Sequence, residues 1–141
     1  MRISKTFYFD AAHHLPNYDG PCRRTHGHTF KVEITFTGEK DKKTGMLIDF
    51  AVLKDIWEND VEPYLDHQDL NDILKNPTAE NIAEWIYVRM FEYAVKFWNY
   101  DLCLEKVVVW ESPTSCAEYN LVDWVEDYPE ESDKYLDSIS E

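Results

Sequence analysis

A chain of 141 residues, 44% hydrophobic and 15% aromatic, is long enough for one domain with a substantial core. Lys and Arg number 14 against 28 Asp and Glu, and the net charge of −14 excludes the electrostatic footprint of a nucleic-acid or anionic-membrane binder. Any anionic substrate would need a local basic patch, for which Arg23 and Arg24 are the obvious suppliers.

The first strand is predicted over residues 2–12. Ile3, Phe7, Phe9 and Ala11 form its apolar face, and parity carries His13 onto that face. Asn17 to Pro21 is loop chemistry, with Gly20-Pro21 as its strongest turn mark. The second strand runs from about residue 25 to 37, with His26, His28, Phe30, Val32, Ile34 and Phe36 on one face. His26 and His28 then stand about 6.6 Å apart at Cα, a spacing that lets both rings reach one ion. Gly27 between them permits a close approach on the other face. Antiparallel pairing of the two strands brings His13 to the same end. Three imidazoles and an open fourth position describe a catalytic zinc site, and parity on two strands favours it over three separately bonded buried histidines.

Asp49 is a suitable N-cap for a helix over residues 50–64, with Phe50, Leu53, Ile56, Trp57 and Val61 as its stripe. Residues 65–72 read as a polar loop. Thr78 suits the N-cap of a second helix and Glu80 its positive end; Ile82, Trp85, Ile86, Met90, Tyr93, Ala94 and Phe97 follow at helical spacing. Strands are predicted at 106–111 and 116–122. The order is β-β-α-α-β-β: an α+β layer with an antiparallel sheet, two helices on one face and open edges that favour oligomers. Residues 1–124 form the domain, and 125–141 an acidic tail expected to be frayed or solvated.

No run approaches the roughly 18 apolar residues of a membrane span, and the N-terminus leads into a strand without a signal peptide. Cys22, Cys103 and Cys116 form neither a C-x-x-C pair nor an even disulfide set, so a cytoplasmic chain with reduced thiols is expected. Cys22, four residues before His26, has three readings: a fourth zinc ligand, a thiolate activated by a nearby cation, or an inert thiol. His67 follows Asp66 in a loop; facing Cys22, it would complete a thiolate–imidazole relay. Glu111 ends an apolar stripe and is either solvated or placed to accept a ligand N–H.

Phe9-Asp-Ala-Ala-His13-His-Leu15, Cys22-x-x-x-His26-Gly-His28, Leu65-Asp66-His67, Asn76-Pro-Thr-x-Glu80 and Val109-Trp-Glu111 occur in the order of the 6-pyruvoyl-tetrahydropterin synthase superfamily, which the chain resembles over about residues 3–122. The three residues between Cys22 and His26 are the spacing of the branch that serves queuosine (7-deazaguanine) biosynthesis.

The resemblance implies a tunnelling fold (T-fold), in which subunits join their sheets into a β-barrel as a trimer or a dimer of trimers. It implies zinc on His13, His26 and His28, with His14 outside the ligand set. It also implies Cys22 as the proton-abstracting thiolate, Asp66 and His67 as its relay, and Glu111 on the pterin's guanidine-like edge and with the relay. Thr78 and Glu80 match residues near a pterin pocket between subunits. The implied reaction converts 7,8-dihydroneopterin triphosphate to 6-carboxy-5,6,7,8-tetrahydropterin, acetaldehyde and triphosphate. The 6-pyruvoyl reaction on the same substrate is the alternative, and a non-catalytic zinc module closed by Cys22 is another.

Overall fold

Alternating side chains on two long strands build the frame. In the computed structural model, which describes residues 1–97 and 102–139, β1 (Arg2–His13) and β2 (His26–Gly38) pair antiparallel from Arg2↔Thr37 to His13↔His26. Phe7, Phe9, Phe30, Val32, Ile34 and Phe36 point to one face and are buried; Tyr8, Asp10 and Thr29 point to the other and are exposed. Stacking of Phe9 on Phe30 (4.8 Å) and of Phe7 on Trp57 (4.6 Å) ties this face to the helical layer.

That layer begins with α1 (Phe50–Ile56), whose N-cap Asp49 accepts the Ala51 N–H. It passes through a π-helical turn, Trp57–Val61, into α2 (Glu62–Leu65). Helix 50–64 was expected without interruption. Leu53, Trp57 and Val61 bury their side chains as the stripe requires, but Phe50 remains half exposed. Two residues of the expected loop form β3 (Gln68–Asp69), which adds to β1 in parallel at Ala11 and Ala12. The long helix α3 (Ala79–Phe97) buries Ile82, Ile86, Met90 and Ala94; the side chain of Phe97, the last of the expected stripe, lies outside the described residues.

β4 (Leu102–Ser112), longer than the expected 106–111, pairs antiparallel with β2 through a bulge at Thr35/Phe36, and β5 (Ser115–Asn120) closes the sheet. The order is β3-β1-β2-β4-β5, so the α+β class holds while the sheet is mixed, with a parallel edge, rather than wholly antiparallel.

The C-terminal segment differs most from its expectation. The last strand ends at Asn120 rather than 122, because the Asn120 side chain and Asp123 form a capping box that starts α4 (Leu121–Asp127). Pro129 then opens α5 (Pro129–Ile139). Among the described residues the acidic tail is thus helical and packed. Trp124 lies 4.1 Å from Phe91 and Tyr135 lies 5.1 Å from it, while Tyr128 donates to Glu84 on α3. Ser140 and Glu141 lie outside the described residues.

Candidate metal centre and its acid–base groups

The register that pairs His13 with His26 puts His28 diagonally opposite, across from Ala11. All three rings meet at the end of the core face, with centroids 4.6, 4.8 and 5.1 Å apart. Their ligand nitrogens lie within 4.8 Å of one another. His13 Nδ1 donates to the Pro77 carbonyl (2.7 Å) and His26 Nδ1 to the Arg24 carbonyl (2.8 Å). Each bond places the proton on Nδ1 and leaves the Nε2 lone pair free.

The Nε2 atoms of all three rings are shielded from solvent yet have no hydrogen-bond partner. Clustered buried acceptors of this kind are costly unless a cation takes them. Burial also holds the His28 imidazole below its ordinary value, favouring the neutral form that binds metal. The donor set therefore fits a metal ion.

Glu111, at the end of β4, brings Oε1 to 3.2 Å from His13 Nε2 and 3.5 Å from His28 Nε2. It borders the cluster directly rather than standing solvated beyond the sheet. Cys22 is half-buried in a single 3-10 turn, Pro21–Arg23, and its carbonyl accepts the Leu15 N–H (2.8 Å). The grouped ligands are three histidines and no sulfur. Arg23, in that turn, and Arg24, at its end, are exposed. His14, just past the end of β1, is engaged by Asn71 at its backbone N–H (2.9 Å), its carbonyl (3.0 Å) and its ring Nε2 (3.3 Å).

Asp66 and His67 do bond one another: Oδ2 accepts from Nδ1 at 2.9 Å. The left-handed backbone of His67 (φ 58°) accompanies this fold-back between neighbours. Asp10 holds both residues. Its N–H donates to Asp66 Oδ1 (2.9 Å), its carbonyl accepts the His67 N–H (2.6 Å), and its carboxylate accepts the Thr29 hydroxyl. The Asp10 N–H holds the Asp66 carboxyl below its usual range, and the bond to Asp66 raises the His67 imidazole above its own.

Asp10 has the opposite parity to His13, so its carboxylate faces away from the metal cluster, while Asp66 and His67 bond its main chain along the β1 edge that pairs with β3. Cys22 and His67 share no hydrogen bond among the described residues. An open groove of about 630 Å³, lined by Asp10, Gly27, His28, Thr29 and His67, runs between the pair and the metal cluster.

Thr78 and Glu80 stand at the start of α3. The Thr78 hydroxyl is occupied in capping, accepting the Asn81 N–H (3.1 Å), and Glu80 is exposed. Burial pushes the Cys103 thiol up, which disfavours its thiolate, and Cys116 is exposed on β5. A Cβ at Gly27 would meet the Ala11 carbonyl at 3.5 Å, ordinary contact, so no close approach within the chain demands this glycine. Sequence reasoning missed Asp10 and Pro77. An acid between Phe9 and Ala11 was a signal for the first; a backbone carbonyl leaves none for the second.

The 6-pyruvoyl tetrahydropterin synthase family matches this sequence over residues 2–121. The chain belongs to that family. Within it, a Synechocystis protein named 6-carboxy-5,6,7,8-tetrahydropterin synthase is 42% identical over 123 residues, 83% of this chain and 91% of its own. A Pyrococcus furiosus protein named dihydroneopterin monophosphate aldolase is 40% identical over 110 residues, covering 78% and 89%. The solved Caenorhabditis elegans 6-pyruvoyl tetrahydropterin synthase superposes with a TM-score of 0.73 at 25% identity, over 85% of this chain and 94% of its own. The T-fold of the synthase family is therefore the fold of this chain.

Proposed function

We propose that this protein is a zinc-dependent 6-carboxy-5,6,7,8-tetrahydropterin synthase acting in the cytoplasm on 7,8-dihydroneopterin triphosphate, in queuosine biosynthesis. Its working form is a trimer or a dimer of trimers whose sheets join into a barrel. The observation that carries the reading is the set of three inward Nε2 atoms with Cys22 four residues upstream of His26 and outside the ligand group. The name of the Synechocystis relative supports the choice of product.

His13, His26 and His28 hold the zinc, which would bind the substrate's side-chain hydroxyls, lower their pKa and stabilise enediolate-like charge. The Pro77 and Arg24 carbonyls keep two of these rings in the metal-binding tautomer. Cys22 removes a proton from the substrate side chain, and the Asp66–His67 pair relays it. The pterin pocket lies between subunits in this reading. A pair that makes no hydrogen bond to Cys22 within its own chain can then serve a neighbouring site. Glu111 accepts N–H groups from the pterin's guanidine-like edge, with Thr78 and Glu80 near the pocket and Arg23 and Arg24 as candidate phosphate contacts.

Incubating the purified protein with dihydroneopterin triphosphate and identifying the products by mass spectrometry tests this reading. The expected products are 6-carboxytetrahydropterin and acetaldehyde. The 6-pyruvoyl product without acetaldehyde would replace it with the second reading, which the worm synthase favours. In a parallel incubation, turnover of dihydroneopterin monophosphate without turnover of the triphosphate would replace it with the activity named for the P. furiosus relative.

A further inference from the structure

We infer that Asn71 positions the turn that carries Cys22 relative to the three-histidine cluster; the inference rests on the reading of Cys22 as the proton-abstracting thiol. His13, His14 and Leu15 follow one another where β1 ends, and each has its own tie. The His13 ring donates to the Pro77 carbonyl, and the Leu15 N–H donates to the Cys22 carbonyl (2.8 Å). Between them, Asn71 holds His14 at three points. The course the chain takes from a ring of the cluster to the turn of the thiol is thus set at His14.

The Asn71 side chain commits its oxygen and its amide group to that one residue. Oδ1 accepts the His14 N–H, while Nδ2 donates to the His14 carbonyl and to the ring Nε2. A carboxamide, with an acceptor and two donors on one short stem, suits this task. His14 lies beyond the last ladder pair of β1 with β2, His13↔His26. The Asn71 side chain does there what a neighbouring strand does along β1.

Asn71 is itself fixed. It sits in the 3-10 turn Leu70–Asp72, its own N–H donates to Asp69 Oδ1 (3.1 Å), and Leu70 is fully buried. β3, just before that turn, pairs with β1 at Ala11 and Ala12. The clamp therefore spans two anchored segments, and its loss frees the passage from β1 to the Cys22 turn while both anchors remain.

The test is the rate at which iodoacetamide alkylates each cysteine, read by peptide mass spectrometry on protein incubated with zinc chloride. Asn71→Ala should raise the Cys22 rate about fivefold or more as the turn opens locally. Cys103 on β4 and Cys116 on β5 should keep their rates, and bound zinc should match the wild type. Turnover should fall about tenfold or more, since misplacing a reacting group by about 1 Å costs about a hundredfold. His14→Ala, which keeps both main-chain bonds to Asn71, should leave the Cys22 rate near that of the wild type.

An unchanged Cys22 rate in Asn71→Ala overturns the proposal. So does a rise shared by all three thiols or a loss of zinc, either of which marks general loosening. An equal rise in His14→Ala would move the effect to the ring and overturns the main-chain clamp. In the unmutated protein, hydrogen exchange should show the His14 and Leu15 amides protected as those of β1 are; free-chain exchange rates also overturn it. A selective rise at Cys22 in a protein that yields no pterin product leaves this inference standing and removes the proposed reaction instead.

Discussion

The Nδ1–H of His13 donates to the Pro77 carbonyl over 2.7 Å, tying the fully buried ring at the end of β1 to the residue ahead of the α3 cap. The Asn76-Pro77-Thr78 segment therefore does two jobs at once. Its hydroxyl starts a helix and its carbonyl orients a ring of the three-histidine cluster.

Metal binding should stabilise the fold, because the converged rings belong to the folded state alone. At a free concentration about 1,000 times Kd, binding contributes about 4 kcal/mol. For a chain of this size that raises Tm by roughly 10 °C. Calorimetry before and after chelation checks the shift. Elemental analysis of His28→Ala should show a large loss of bound metal; full occupancy would count against a three-ring centre.

Cys22→Ala should keep its metal and lose turnover by about a hundredfold or more, since the thiol is outside the grouped ligands. Metal content and product formation on the same preparation decide the matter. A variant that loses its metal would instead support the closed four-ligand module.

His67 should titrate above an ordinary histidine, because Asp66 accepts its Nδ1–H and stabilises the charged ring. Asp66→Asn should lower that value, as followed by NMR through a pH series. The sign for stability follows. The pair's contribution is fully present below the ordinary histidine pKa and is lost as pH rises through the raised one. The Asn variant should flatten that slope; an unmoved His67 titration would falsify the assignment.

Trp124→Ala should destabilise the fold by about 3–5 kcal/mol, the range for truncating a buried aromatic. Its ring is 4% exposed and packs 4.1 Å from Phe91. Urea unfolding measures the loss. A value near zero would mean that the contact of α4 with Phe91 adds nothing to the fold.

Alternation made the metal cluster readable in advance. A strand residue has one of two faces, so His13, His26 and His28 were placed once the strands were recognised and paired. β3 left no such trace, because a parallel edge of two residues is too short for any period. The tail was misread because its acids outweighed its pattern. Tyr128, Ser132 and Tyr135 recur at intervals of four and three, helical spacing, and they pack with Trp124 of α4 across the break between the two helices. The site's electrostatics were less legible, since the contacts of Asp10 with Asp66 and His67 run through its main chain.

A pocket whose donors are three neutral nitrogens has little with which to tell one late first-row ion from another. Imidazole accepts nickel, copper, cobalt and zinc alike, and raw affinity follows the general order of those ions. What fills the centre of a purified sample will therefore follow what the sample last met. Metal analysis of protein eluted from nickel or cobalt resin should therefore follow stripping and reloading with a defined ion.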